Sequence, residues 1–231
     1  MDARGMPAEG VVDGAERSTM DALAEATIAA DKVIVFRGGP DERTRERNAR
    51  RRPLGDLLRR RRGAASLFGS SISSGDIVEA GCGYGTFTLP AARRTTGVVT
   101  ALDIEEDLVA LVRCKAAEAG FTNIRAERRD FATAGTGLVD GSQSHAMIYN
   151  LLHIEHPVAL LAEARRVLGS GGSLSVMHWR SDIATPRGPS LDIRPTPERC
   201  RAWMDEAGIS AIRTVDLSGC CPFHFGLVAM H

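Results

Sequence analysis

Residues 76–88 read Asp76-Ile77-Val78-Glu79-Ala80-Gly81-Cys82-Gly83-Tyr84-Gly85-Thr86-Phe87-Thr88. The stretch opens as a short apolar run, the mark of a buried strand, and continues into glycines at alternate positions. From 87 to 94 the pattern turns helical. A strand that feeds a helix through bare glycines lets a ligand approach the backbone, because glycine has no Cβ and tolerates φ/ψ values closed to other residues. One glycine pattern alone is weak. The segments spaced around it decide the fold.

Downstream, strand-like and helix-like segments alternate, the order of a parallel α/β sheet. Residues 98–103 are a second apolar run, and 105–119 an amphipathic helix with Leu108, Val109, Leu111 and Val112 inward and Gly120 as its stop. A weaker third strand over 123–128 closes on Asp130-Phe131, and 132–144 read as a polar loop. The fourth strand, 146–149, ends at Asn150. Pro157 suits a first helical position; Leu160, Leu161, Ala164, Val167 and Leu168 form the inward stripe, and Gly169 and Gly171-Gly172 stop the helix. A fifth strand over 174–178 precedes a long loop, 180–194, of a length that suggests a binding role. A helix from Thr196-Pro197 to Ala207 follows, and 212–217 with 225–230 read as a terminal strand pair.

Upstream the chain changes character. Residues 1–52 read as an extension outside the packed domain, which spans 53–231, with a helix over 54–68 leading into the core through Leu54, Leu57, Leu58, Ala65 and Phe68. Arginines crowd 43–62, but no aromatic residues interleave for base stacking, so the block reads as a solvated face rather than a nucleic-acid contact. Over 231 residues, Lys+Arg and Asp+Glu both number 29, so bulk charge selects neither nucleic acid nor a membrane surface. The five cysteines are odd in number and lack CxxC spacing, which reads as reduced thiols in a cytoplasmic protein. No apolar run reaches a membrane span. Nothing here reads out an oligomeric state.

In such a sheet the strand ends on one edge line the ligand crevice. Those ends are Glu79, Asp103, Asp130, Asn150 and His178. A carboxylate after the second strand, roughly 20 residues past the glycine turn, suits two ribose hydroxyls, and Asp103 stands there. A dinucleotide fingerprint needs a third glycine where this chain has Thr86. Glu79 at the same edge would repel a pyrophosphate but suits a ligand with an ammonium and a sulfonium. The pattern favours a cationic nucleoside.

On Val78-Glu79-Ala80-Gly81-Cys82-Gly83-Tyr84-Gly85, Ala101-Leu102-Asp103-Ile104, Arg129-Asp130-Phe131 and the run from Glu163 through Arg165-Arg166-Val167-Leu168 to Gly171-Gly172, the chain resembles the class I S-adenosylmethionine-dependent methyltransferases. The last run is similar to their small-molecule branch, which includes ubiquinone- and menaquinone-biosynthesis-type enzymes. The resemblance implies a Rossmann-like doubly wound sheet of seven strands, the last antiparallel, with helices on both faces. It implies that Gly81, Gly83 and Gly85 approach the methionine moiety, that Asp103 holds the ribose, and that Asp130 and Phe131 address the adenine. Cys82, Tyr84, Ile104 and Asn150 complete the expected S-adenosylmethionine set.

Methyl transfer from a sulfonium needs in-line approach, exclusion of water and sometimes a base. His153 and His156, just past the fourth strand, and His178, closing the fifth, are the candidates. Arg187 and Arg194 on the proline-rich loop are expected to clamp a carboxylate or phosphate of a small-molecule acceptor. Cys220-Cys221 is not read as a metal site, since adjacent thiols on extended backbone point apart. Two alternatives stand beside this reading: an RNA or DNA methyltransferase using the arginine block, and a cofactor-binding protein without turnover. Against the first, Asn150-Leu151-Leu152-His153 stands where a nucleic-acid enzyme would carry Asn/Asp-Pro-Pro-aromatic.

Overall fold

In the computed structural model, Ile77–Ala80 forms strand β1, buried along its whole length. The structure describes Leu67, 74–185 and 188–231; the 1–52 extension, the arginine block, the rest of the 54–68 helix and Arg187 lie outside the described residues. After β1 the elements run α1 (Thr88–Ala92), β2 (Val99–Asp103), α2 (Glu106–Glu118), β3 (Ile124–Arg128), α3 (Phe131–Ala134), β4 (Gln143–Tyr149), α4 (Pro157–Val167) and β5 (Leu168–Trp179). A 3-10 turn (Leu191–Ile193), α5 (Pro197–Glu206), β6 (Arg213–Val215) and β7 (His224–Met230) complete the chain.

The seven strands form one sheet in the order β3-β2-β1-β4-β5-β7-β6. The first five pair in parallel, and β7 runs antiparallel to both β5 and β6. This is the expected Rossmann-like arrangement. Because successive side chains alternate between faces, Val78 and Ile77 enter different cores. Val78, Leu102, Ile148 and Val176 meet Leu160, Leu161 and Ala164 of α4 and Met204 of α5. Ile77, Val99, Met147 and Met177 meet Ala91 and Ala92 of α1, with Leu67. Ala101 packs with Val109 and Val112 of α2. Both sheet faces are thus covered, which explains why β1 and β2 read as continuous apolar runs.

Three details differ from the sequence reading. Residues 131–134 wind one helical turn inside what read as strand end and loop, with Asp130 accepting from the Thr133 N–H as its cap. Strand β5 begins at Leu168, before the glycines expected to end the helix, because Leu168 already pairs with Gln143; the register shifts before Ser173 meets His145. In α2 the fully buried stripe is Val109, Val112 and Ala116, while Leu108 and Leu111 are half-buried.

Candidate functional site

Four strand ends, the glycine turn and the loop after β5 converge on the C-terminal edge of the sheet. The turn depends on its glycines: Gly81, Gly83 and Gly85 have φ of 74°, 50° and 73°, which glycine adopts at no steric cost. Gly81 and Cys82 both donate to the Leu102 carbonyl, which ties the turn to β2. A Cβ built on Gly85 would stand 2.9 Å from Leu89 and 3.2 Å from Val112, so this glycine serves helix packing. A Cβ on Gly83 would meet nothing within 4 Å, so this glycine faces open space. Lys115 on α2 donates to the Tyr84 carbonyl at 3.0 Å and holds the turn from the other side.

Asp103 is fully buried beneath that turn. Its two oxygens accept from the Gly83 N–H at 2.8 Å and the Glu105 N–H at 3.1 Å. Burial raises its pKa, opposed by hydrogen bonds from the backbone N–H groups of Glu105, Gly83 and Ile104. Glu79 is buried in the same place and accepts from the Thr88 hydroxyl at the start of α1. Desolvation, with Asp103 nearby, pushes its pKa up to about 8. Cys82 lies beside both carboxylates, and burial pushes its thiol pKa up, so the thiol stays neutral. Ile104 is half-buried, Asp130 is exposed, and the Phe131 ring is buried in the main core.

Asn150 follows β4 with φ of 56°, a conformation uncommon for a residue with a Cβ. Its N–H donates to the Met177 carbonyl at 2.7 Å, while its Oδ1 is buried with no hydrogen-bond partner among the described residues. A buried acceptor of this kind is rare unless a ligand or solvent completes it. His153 and His178 are brought together, Nδ1 to Nε2 at 3.2 Å with the rings edge to face. His156 is not; it caps α4 without a side-chain bond, exposed beside Glu155.

Arg194 departs from its expected part. It is buried, donating to the Pro189 carbonyl at 2.8 Å and the Arg180 carbonyl at 2.9 Å, with its guanidinium over the Trp179 ring. It ties the 180–194 loop to the sheet edge, and desolvation lowers its pKa. The sequence reading also missed His224, whose ring lies 4.0 Å from that of Trp179, and the buried set of His145, Tyr149, Ser173 and Ser175 bridging β4 and β5. Antiparallel pairing of β5 with β7 places His224 opposite Trp179, a contact no local pattern encodes.

These residues fit S-adenosylmethionine. Gly83 leaves a cradle for backbone approach, Glu79 supplies a carboxylate, and the Asn150 Oδ1 awaits a donor. Among the described residues no group of three or more His, Cys, Asp or Glu is placed to hold a metal ion. No helix among them is long and apolar enough to cross a membrane.

Comparison with known proteins agrees with this geometry. Residues 77–172 match the family model described as a methyltransferase domain. No curated protein matches the chain. Among solved structures, the chain is similar to an S-adenosylmethionine-dependent methyltransferase from Aquifex aeolicus, at 20% identity and a TM-score of 0.67, covering 78% of this chain and 93% of that one. It is similar to the cyclase SpnF, at 16% identity and a TM-score of 0.64 over 91% of each chain. It is also similar to a geranyl diphosphate methyltransferase in complex with S-adenosylmethionine, at 14% identity and a TM-score of 0.58, covering 75% and 84%. At these identities the likeness is one of fold.

Proposed function

We propose that this chain is an S-adenosylmethionine-dependent methyltransferase that transfers the methyl group to a small organic acceptor, with the cofactor held along the C-terminal edge of the sheet. The observation that carries the reading is the juxtaposition of Gly83, open to a ligand, with a buried carboxylate at Glu79 and an unpartnered acceptor at Asn150. The ammonium of the cofactor's methionine moiety supplies the donors those acceptors need. The Asp103 carboxylate suits the ribose hydroxyls, and the edge between Ile104 and the Asp130 cap suits the adenine. Bound there, the cofactor supplies an electrophilic methyl group. The chain's part is to orient it, exclude water and receive a proton.

A small acceptor is supported by the 180–194 loop, which Arg194 anchors over the edge rather than leaving a basic groove. Leu191 and Ile193 on that loop and Phe223 before β7 expose apolar surface, and Arg180 N–H donates to the Phe223 carbonyl. One neighbour in fold is named for geranyl diphosphate, an apolar chain with an anionic head. Among the described arginines of this loop, Arg180 is paired with Asp182 and Arg194 is committed to carbonyls, and Arg187 lies outside the described residues. Another neighbour is named as a cyclase, so product chemistry is the decisive readout.

Calorimetric titration of S-adenosylhomocysteine into the protein, beside Asp103→Ala and with NAD as control, tests the cofactor site. Micromolar binding that Asp103→Ala loses while its melting transition stays cooperative is the expected result. A screen of small acceptors with methyl-labelled cofactor then tests transfer. Absence of cofactor binding, or preference for NAD, overturns the reading.

A further inference from the structure

His178 lies near the end of β5 and His153 just past β4, so the parallel pairing of those strands brings the two rings side by side. The His178 Nδ1 lies 3.2 Å from the carbonyl oxygen of Trp179, and its Nε2 lies 3.2 Å from the His153 Nδ1. A carbonyl only accepts, so the His178 proton sits on Nδ1. Burial keeps this ring neutral by lowering its pKa to about 3, and the groups facing it, His153, His224 and Arg194, act in the same direction. A neutral ring protonated at Nδ1 presents a lone pair at Nε2. The His153 Nδ1 must therefore donate, and the unprotonated nitrogen of His153 is Nε2.

We infer that His178 is a positioning residue that holds His153 as its Nδ1–H tautomer, with the Nε2 lone pair serving as base for an acceptor whose nucleophilic atom carries a hydrogen. The inference rests on the methyl-transfer reading and narrows its substrate class. The acceptor's X–H proton passes to His153 Nε2 and its electron pair forms the new X–C bond. The S–C bond to the methyl group breaks with its electrons remaining on sulfur. The imidazolium then returns the proton to water. Through its Nδ1–H, the charged ring remains bonded to His178, and the chain of donors ends on the Trp179 carbonyl. Hydroxyl and N–H acceptors fit this arrangement; tertiary amines and thioethers, which need no base, do not use it.

Long-range proton–nitrogen correlation spectra of the full chain, at about pH 8 where free imidazoles are neutral, test this directly. His153→Gln and His178→Gln assign the signals. The expected pattern for His153 is a pyrrole-type Nδ1 and a pyridine-type Nε2, and in His178→Phe that preference is lost. A His153 carrying its proton on Nε2 in the unsubstituted protein overturns the inference without any variant having to fold. An unchanged His153 pattern in a folded His178→Phe overturns it too. Titrating S-adenosylhomocysteine into the same samples separates the two readings. Binding retained by His178→Phe alongside a lost tautomer supports a positioning role, whereas no binding to the unsubstituted protein overturns the cofactor reading itself.

Discussion

Gly83 and Gly85 sit two residues apart and carry different burdens. Both have positive φ, which costs a residue with a Cβ about 1–2 kcal/mol. Only at Gly85 does the added carbon also strike Leu89 and Val112. Gly85→Ala is therefore expected to lower the melting temperature more than Gly83→Ala. Gly83→Ala is expected to weaken cofactor binding the more, which paired melts and calorimetry read in one experiment. Glu79 makes a second expectation at this scale. Its pKa of about 8 leaves it mostly protonated near pH 7, while a cationic cofactor favours the carboxylate. Affinity for S-adenosylmethionine should then rise with pH, by about tenfold per unit between roughly pH 6 and 7.5. Glu79→Gln should bind weakly at every pH and lose that slope; an unchanged slope would place the titrating group elsewhere. The acid and the glycines were legible as residue types in order along the chain. The Thr88 partner of Glu79 and the carbonyl partners of Arg194 were not, since each depends on how loops settle over a strand end.

Among the elements, α4 shows what a sequence motif is for. Glu163 accepts from the backbone N–H and hydroxyl of Thr136, both at 2.6 Å, and from Arg166 Nε at 2.7 Å. Arg166 continues to Asp140 and to the Leu138 carbonyl at 2.9 Å. These bonds, Arg166 first, hold the Glu163 pKa down to about 2. The Glu-Ala-Arg-Arg run that suggested a family thus works as a clip fixing the 135–142 segment to the helix. Arg166→Ala should cost about 1–2 kcal/mol, read as a lowered denaturation midpoint. Cofactor affinity should not move, because the clip stands away from the glycine turn. Helix positions were legible here from apolar spacing, Pro157 and the Thr196 cap, which accepts from the Arg199 N–H at 3.1 Å. The start of β5 was not, because the pairing of Leu168 with Gln143 is a property of two distant segments. His145 lies about thirty residues from Ser173 and Ser175, so nothing local links them. They become a buried polar network only once helices cover both faces of the sheet.

For the molecule as a whole, four buried groups set opposing slopes of stability with pH. His145, bonded to Ser173 and Ser175, has its pKa lowered by burial to about 3, and burial does the same to His178. Their folded pKa values lie below the unfolded value near 6.5, so their contribution is full above pH 6.5 and is lost as pH falls towards 3. Glu79 runs the other way. Its folded pKa lies above the unfolded value of about 4.5, so its contribution is full below pH 4.5 and is lost as pH rises through 8. Asp103, raised by burial, acts in the direction of Glu79. Between about pH 5 and 6.5 the unfolded chain binds the two histidine protons and the folded chain the one on Glu79. The net of one proton makes stability rise with pH by at most about 1.4 kcal/mol per unit. Between about 6.5 and 8 Glu79 sets the slope, and stability falls by a similar amount per unit. The melting temperature should therefore peak near pH 6.5. Glu79→Gln should steepen the acid arm, abolish the decline above 6.5 and raise stability at pH 7 by roughly 3 kcal/mol. His145→Gln should flatten the acid arm alone. A melting temperature that climbs steadily to pH 8 in the unsubstituted protein would remove Glu79 from this account. The predicted opposition ties stability to function: the carboxylate that burial disfavours near neutral pH is the one a cationic cofactor would draw into its charged form, so cofactor binding should flatten the decline above pH 6.5.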